Sequence, residues 1–190
     1  MLDTVRIGHL VLISTVDVYP TPADVDEAAA IDYTATHAYG RHRRELEIFC
    51  QDRFATTIVR LPGLFGPVLR KNAIFDLLHD HEVERIHPDS AFQFYELNRL
   101  WSDVERVRAA NLSVVNLSVE PTTMRDVAAR AFARTLTPAP DVRTVRYDMR
   151  SRYAARFGGR DGYWYDAAST LDAIAAFVSG ERRASHGATA

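Results

Sequence analysis

The sequence predicts an α/β fold with a parallel sheet, flanking helices and a small C-terminal lobe. A continuous apolar run at residues 10–13 and two further predicted strands that are rich in apolar residues, at 54–61 and 113–117, lead to this prediction. A strand that is apolar throughout is typical of a sheet covered on both faces, as parallel sheets are. Segments with helical periodicity lie between these runs, and strands that alternate with helices indicate an α/β fold.

In the first half of the chain, a strongly apolar strand precedes a long loop and a helix. The spacing predicts the end of a helix over residues 1–8, a strand over 9–15, a loop over 20–38, a helix over 39–52, a strand over 54–61 and a turn-rich loop over 63–67. Tyr39, Arg43, Leu46 and Cys50 recur at helical spacing and form one stripe, whereas Glu47 falls outside it. A long loop inside a compact domain usually has a function.

The second half adds shorter elements. The spacing predicts helices over 72–79, 97–110, 122–135 and 168–178, strands over 83–86, 92–95, 113–117 and 142–147, and a linker over 138–140. Thr122 is the expected N-cap of its helix, and a polar tail that we expect to be disordered begins at Gly180. The predicted organisation is a sheet-bearing part over 1–135 with small-lobe elements inserted at about 68–96, the rest of the small lobe over 136–180, and a disordered tail over 181–190.

Composition and charge argue against several classes of partner. A formal net charge of -2 over 190 residues gives no reason to expect nucleic acid or an anionic membrane. No apolar run approaches the ~20 residues that a membrane span needs, and the N-terminus lacks the basic and cleavage regions of a signal peptide. Cys50 is the only cysteine, so no internal disulfide can form. We therefore expect a cytoplasmic protein with a buried thiol at this position.

Three sequence blocks stand in an order that indicates a family. They are Ile13-Ser14-Thr15-Val16-Asp17-Val18-Tyr19, then Tyr39-x-x-x-Arg43, then Arg60-Leu61-Pro62-Gly63-Leu64-Phe65-Gly66-Pro67. Together they resemble the catalytic half of the extended short-chain dehydrogenase/reductases, and more narrowly the NAD-dependent epimerase/dehydratase family that acts on nucleotide sugars. The resemblance covers about residues 1–135. It implies a partial, truncated Rossmann-like parallel sheet with a small C-terminal substrate lobe, and an NAD(P)-dependent reaction at a hydroxyl or carbonyl of a sugar or nucleotide sugar.

The resemblance also implies roles for single residues. Thr15 would orient the substrate oxygen, Tyr39 would act as acid and base, and Arg43 would tune Tyr39 and contact the cofactor ribose. A cation one helical turn after a tyrosine favours the phenolate, which can take a carbinol proton. The implied cofactor is NAD or NADP, and no metal is implied. The implied cofactor-binding residues are Ser14, Tyr39, Arg43, Pro62, Gly63 and Leu64, and the implied substrate-binding residues are Thr15, Val16 and Asn72.

The sequence departs from that family's pattern at three places. Arg43 stands where the family has a lysine, and it keeps the charge but cannot release a proton. No Gly-x-x-Gly-x-x-Gly loop, which would hold the pyrophosphate of a dinucleotide, occurs in the chain. Gln93 lies where the family often has an arginine, which puts a nucleotide diphosphate substrate in doubt. Without the first strands of the fold, the strand over 9–15 has a free apolar edge. We expect a homodimer or another partner to cover this edge.

Plainer interpretations stay open for the same residues. Tyr39 could pack on the core as a helix-start aromatic, and Arg43 could pair with Glu47 one turn later. Asn72 could serve only as a helix N-cap, and Trp164 could pack the small lobe rather than bind a sugar. For the whole chain, the alternative to an enzyme is a non-catalytic remnant of such an enzyme that acts as a binding or assembly subunit.

Overall fold

The computed structural model describes residues 6–68 and 71–187. Strands and helices alternate along much of this part of the chain, in agreement with the predicted α/β class. The strands are β1 Leu10–Thr15, β2 Ala23–Val25, β3 Thr56–Leu61, β4 Gly63–Phe65, β5 Ala91–Phe92, β6 Phe94–Glu96, β7 Val114–Asn116, β8 Thr122–Thr123 and β9 Asp148–Met149. The helices are α1 Ala38–Arg53, α2 Ala73–His79, α3 Leu100–Ala109, α4 Met124–Phe132 and α5 Ala167–Gly187.

A parallel sheet with the strand order β1-β3-β7 forms the centre of the fold. Thr15 of β1 lies opposite Leu61 of β3, and Arg60 of β3 lies opposite Asn116 of β7. The carboxyl ends of the three strands therefore meet at one edge, which is where open α/β sheets bind their ligands. Shorter strand pairs surround the sheet: β2 with β9 and β4 with β6 are parallel, and β5 with β8 is antiparallel.

Helices cover both faces of this sheet. On one face, Val104 and Val107 of α3 belong to a buried apolar cluster with Val59 and Leu61 of β3. On the other face α1 packs along β1 and β3, and the thiol of Cys50 is buried, as predicted. Since strand side chains alternate between the two faces, a strand covered on both sides is buried at successive positions, as β3 is from Thr57 to Leu61.

A second apolar cluster lies among α2, α4 and α5. Its buried members include Ile74 of α2, Met124 and Val127 of α4, and Ile174 of α5. This cluster fixes α2, and with it the residue that precedes α2, against the body of the protein.

The edge of the sheet at β1 carries no further strand within the described residues, since β3 is the only neighbour of β1 there. Val11 and Ile13 of this strand line an apolar surface groove together with Trp101 of α3. The side chain of Trp101 is 73% exposed, which is unusual for so large an apolar group. The free apolar edge predicted from the sequence is therefore present in the described structure.

Several predicted boundaries were wrong. α5 continues to Gly187, past the predicted end at residue 178 and into the segment expected to be disordered. Thr123 rather than Thr122 caps α4, because its hydroxyl accepts the Asp126 N–H at 3.1 Å. The strand expected over 83–86 is a 3-10 helix, Val83–Arg85, and the strand expected over 142–147 is irregular, with β9 following it. Of the helix end expected over 1–8, residues 1–5 lie outside the described residues and residues 6–8 are not helical.

Candidate active site

Thr15 places a hydroxyl at the carboxyl end of β1. The strand gives way there to a 3-10 helix, Val16–Val18, which Thr15 caps by accepting the N–H of Asp17 at 3.2 Å. The same hydroxyl donates to the carboxylate of Asp17 at 2.9 Å. The tip of the strand thus presents a paired hydroxyl and carboxylate, side by side.

The first turn of α1 packs directly on this strand tip. A Cβ added at Gly40 would overlap the carbonyl oxygen of Asp17, so only glycine allows this approach. His37 precedes α1, and its Nδ1 accepts the N–H of Gly40 at 3.4 Å. The Nε2 of His37 lies 4.0 Å from the Asp17 carboxylate. The sequence therefore brings the start of α1, and Tyr39 with it, to the edge of the sheet where β1 ends.

Tyr39 and Arg43 lie on the outer side of this turn. Tyr39 is 53% exposed, so it does not pack into the core. The guanidinium carbon of Arg43 lies 6.0 Å from the centroid of the Tyr39 ring, at the outer limit of a cation–π contact. One guanidinium nitrogen of Arg43 donates to the carbonyl of Ile13. The backbone groups of successive residues in a strand point to opposite edges. Those of Leu10 point toward β3, because its N–H forms a hydrogen bond on that side. The carbonyl of Ile13, three residues later, therefore points toward the free edge of β1. The cation is therefore held between Tyr39 and that edge.

The plainer interpretation of Arg43, an ion pair with Glu47, is not found among the described residues, because the Glu47 carboxylate is bound by Arg60 and Arg44. The Glu47 carboxylate is fully buried and accepts from Arg60 Nε at 3.0 Å and Arg60 Nη2 at 2.8 Å. Arg44 donates to it at 2.8 Å. Burial by itself would raise the pKa of Glu47, but the hydrogen bonds and the charge of Arg60 hold that pKa below its ordinary value.

This ion pair continues into a buried polar network beneath the strand ends. Arg60 Nη1 donates to the hydroxyl of Tyr19 at 2.8 Å, and the side-chain amide of Asn116 donates to the same oxygen at 3.0 Å. Ser14, one residue before Thr15, is 4% exposed and lies beside Glu47 on the α1 face of the sheet. The network joins α1, β1, β3 and β7, so it fixes the helix that carries Tyr39 over the sheet.

A cavity of about 290 Å³ opens at the strand tips. It brings together five of the residues that the sequence singled out, namely Thr15, Val16, Pro62, Gly63 and Asn72. The rest of its lining consists of Asp17, Ala73, Phe92, Gln93, Phe94 and Tyr147. The other predicted site residues, Ser14, Tyr39, Arg43 and Leu64, are not part of this lining.

Two polar side chains at the cavity are held in place by their own hydrogen bonds. Asn72 caps α2, as its plainer interpretation required, by accepting the N–H groups of Ile74 at 3.0 Å and Phe75 at 3.2 Å. Gln93 is buried, and its amide nitrogen donates to the carbonyls of Val119 and Met149, the latter at 2.8 Å. The oxygen of Gln93 accepts the N–H of Met149 at 2.7 Å. Both N–H groups of the Gln93 amide are therefore taken by protein carbonyls, and the Asn72 amide nitrogen donates to the carbonyl of Leu64.

Asp17 and Tyr147 line the cavity but were assigned no role from the sequence. Asp17 sits inside the first sequence block, where its place between two valines gave no sign that it would line a cavity. Tyr147 arrives from the far end of the chain, and its ring lies 5.6 Å from that of Phe92. Burial and then the negative charge of Asp17 raise the pKa of Tyr147, which keeps its hydroxyl protonated as a hydrogen-bond donor.

The described residues hold no group of three or more His, Cys, Asp or Glu side chains that could bind a metal ion. Across residues 6–68 and 71–187, no helix has both the length and the apolar character to cross a bilayer.

No protein-family model matches this chain, and no curated protein matches it by sequence. Many solved structures match it in three dimensions. The dTDP-glucose 4,6-dehydratase of Bacillus anthracis, solved with NAD, has a TM-score of 0.65 at 12% identity over 92% of this chain and 62% of its own. The dTDP-4-dehydrorhamnose reductase of Clostridium acetobutylicum has a TM-score of 0.67 at 17% identity, over 90% of this chain and 65% of its own.

Another neighbour has a different kind of substrate in its name. The L-threonine 3-dehydrogenase of Trypanosoma brucei has a TM-score of 0.51 at 13% identity, over 73% of this chain and 53% of its own. At these identities the likeness shows the fold, which is the Rossmann-like α/β fold that the sequence predicted. The chain spans less than two thirds of the length of each of these solved proteins.

Proposed function

We propose that this chain is the catalytic part of an NAD(P)-dependent oxidoreductase of the epimerase/dehydratase type, which acts on a hydroxyl or carbonyl group of a small molecule. One observation carries the proposal. The tip of β1 with Thr15, the first turn of α1 with Tyr39, and the Pro62–Gly63 loop all lie at the edge where the parallel strands end, and Arg43 follows one turn after Tyr39. The names of the solved neighbours range from nucleotide-sugar enzymes to a threonine dehydrogenase, so the fold supports the reaction class more strongly than a particular substrate.

In this proposal each side chain has a distinct task. Thr15, with Asp17 as its hydrogen-bond partner, holds the substrate oxygen at the strand tip. Tyr39 exchanges a proton with that oxygen. Arg43 supplies a fixed positive charge beside the Tyr39 ring, and its bond to the Ile13 carbonyl keeps the guanidinium in place. General acid–base groups of this kind contribute about 10²–10⁴-fold to a rate.

The residues present fit only one end of the cofactor. A nicotinamide dinucleotide, when bound, would accept or supply the hydride. Pro62 and Gly63 are positioned beside Thr15 and leave an open cavity there, which suits the nicotinamide end. A glycine-rich loop for the pyrophosphate does not occur in the sequence. Ser14 is buried against α1, so it supports the strand tip rather than contacting a cofactor directly.

The experiment compares NADH with reduced nicotinamide mononucleotide by isothermal titration calorimetry. The mononucleotide lacks the half that would need the missing loop, so we expect the two molecules to bind with similar, weak affinity in the millimolar range. No saturable heat from either would count against the proposal and favour the non-catalytic remnant. Binding of NADH far tighter than the mononucleotide would show that a pyrophosphate site exists elsewhere in the chain.

A second measurement tests Tyr39. With NAD⁺ and a panel of carbinols, Tyr39→Phe should lower turnover by about 10²–10⁴-fold, because it removes the hydroxyl that exchanges the proton. Tyr33→Phe is the matched control, because it removes the same group from the preceding 3-10 helix, Tyr33–Ala35, to which the proposal gives no role. Equal turnover in the wild type and in Tyr39→Phe would remove Tyr39 from the mechanism.

Three further expectations belong to this proposal. We place the sheet-bearing part at 1–135 and the remainder of the small lobe at 136–180, the latter supplying Tyr147 to the cavity. We expect a homodimer or a partner at the free edge of β1. We also expect a cytoplasmic location, for which the single cysteine of the sequence, Cys50, is the support.

A further inference from the structure

The cavity at the strand tips has an unusual charge for a site in this fold. Of the described residues that line it, one is a carboxylate, Asp17, and none is a cation. A diphosphate needs the opposite arrangement, since proteins hold phosphate oxygens with arginine, lysine or backbone N–H groups. The described lining therefore offers a diphosphate no cation, and its one charge, that of Asp17, is unfavourable for a phosphate group.

Gln93 belongs to the lining of the cavity. Its side chain is 1% exposed and forms hydrogen bonds with Met149 and Val119. It thus serves to join β6 to the segment around β9 rather than to face a ligand. Arg43 is bound to the Ile13 carbonyl, and Arg150 is bound to Asp148.

The wall of the cavity is aromatic. The rings of Phe92 and Phe94 lie 6.0 Å apart and those of Phe92 and Tyr147 lie 5.6 Å apart, at tilted angles. Such rings favour an aromatic or apolar body with which they can make edge and face contacts. The volume, about 290 Å³, lies at the lower end of the ~300–1,000 Å³ range of small-molecule sites.

The polar groups of the cavity lie at its strand-tip end. The hydroxyl of Thr15 and the carboxylate of Asp17 can accept a hydrogen bond from a substrate hydroxyl, and the protonated hydroxyl of Tyr147 can donate one to a carbonyl. A ligand that fits both ends is therefore polar at one oxygen and apolar over the rest of its surface.

We propose that the substrate is a small, neutral carbinol or ketone with an aromatic or apolar body, and not a nucleotide-diphosphate sugar. This inference rests on the proposed function, because it assigns the substrate class of the same site. The aromatic wall selects the body of the ligand, the Thr15–Asp17 pair selects its oxygen, and the negative charge of Asp17 rejects phosphates.

The experiment measures binding to the full chain by saturation-transfer NMR and by calorimetry. The probes are 1-phenylethanol and acetophenone on one side and UDP-glucose on the other. We expect saturable binding of the two neutral probes and none of UDP-glucose. Phe92→Ala should weaken the neutral probes by about tenfold, the size of a lost aromatic contact. Trp101→Ala is the matched control, because Trp101 lines the separate apolar groove at β1 and its loss should change nothing.

Tyr147→Phe keeps the ring and removes only the hydroxyl, so it tests the site even if Phe92→Ala fails to fold. It should weaken acetophenone several-fold, the range expected for one lost hydrogen bond, and leave 1-phenylethanol nearly unchanged. Saturable binding of UDP-glucose would overturn the proposal, as would neutral probes that respond to Trp101→Ala and not to Phe92→Ala. If the neutral probes bind in the cavity but NADH does not bind, the proposed function fails while the ligand class stands. If NADH and UDP-glucose both bind, the ligand class alone fails.

Discussion

Glu47→Gln should destabilise the protein strongly, because it leaves a buried cation without its counter-charge. The Arg60 side chain is 3% exposed, and two of its nitrogens bind the Glu47 carboxylate at 2.8 and 3.0 Å. Breaking a buried ion pair by removing one partner costs about 3–5 kcal/mol. A domain of this size has a total stability of roughly 5–15 kcal/mol, so the variant should still fold but with a much smaller margin.

Urea unfolding followed by circular dichroism measures the effect. With a slope of about 2–3 kcal/mol per molar urea, the midpoint should fall by roughly 1–2 M. Arg44→Ala is the control: Arg44 binds the same carboxylate but its side chain is 23% exposed, so its loss should cost no more than about 1 kcal/mol. The double variant Glu47→Leu with Arg60→Met removes both charges together and should be far more stable than Glu47→Gln.

Two outcomes would refute this reasoning. Glu47→Gln within about 1 kcal/mol of the wild type would show that the pair is not effectively desolvated. A double variant as unstable as Glu47→Gln would show that the loss comes from shape rather than from an unpaired charge.

Three other positions give further tests. Gly40→Ala forces a Cβ onto the Asp17 carbonyl and should lower the free energy of unfolding, measured with urea, by about 1–3 kcal/mol. Gly180→Ala is its control, because the space around Gly180 is open, and should stabilise α5 by up to about 1 kcal/mol. Equal effects of the two substitutions would contradict the packing argument. Asn72→Ala removes the α2 cap and should lower the unfolding free energy by about 1 kcal/mol, unless the cap contributes nothing. Burial alone would raise the pKa of Asp148, but hydrogen bonds from two arginines and a tyrosine lower it to about 2. Its contribution to stability is therefore fully present above the ordinary pKa and is lost as the pH falls from there to about 2. Asp148→Asn should flatten the acid limb of the stability–pH curve, and an unchanged limb would disprove the assignment.

The parts of the fold that could be predicted are those set by local pattern. β1 follows from a continuous apolar run, and β3 from a segment rich in apolar and β-branched residues that ends at Pro62-Gly63. α5 shows the limit of such rules: Gly180 is a common stop signal, yet the helix continues because nothing crowds that residue and the helix on its N-terminal side is anchored through Ile174 and Val178. A stop signal in the local sequence carries no information about the tertiary packing that allows the helix to continue.

Some residues of the candidate site could likewise be predicted from the sequence, and others could not. Thr15 and Gly63 could be predicted because the ends of neighbouring parallel strands must meet at one edge. Glu47 could not, since the partner that permits its burial, Arg60, belongs to another element. Tyr147 could not either, because the path of the chain after α4 places it at the cavity and no periodic pattern marks that path.

The two tryptophans of this chain stand in opposite surroundings, which gives the protein a pair of built-in optical reporters. Trp101 is 73% exposed, whereas Trp164 is 6% exposed and stacks on Phe157 with ring centroids 4.0 Å apart. A dissolved quencher such as acrylamide will reach the first indole and not the second. A blue shift of the accessible emission will then signal that something has covered the groove beside β1, while a red shift of the protected emission will signal that the interior has opened. One unlabelled sample can thus separate association from unfolding.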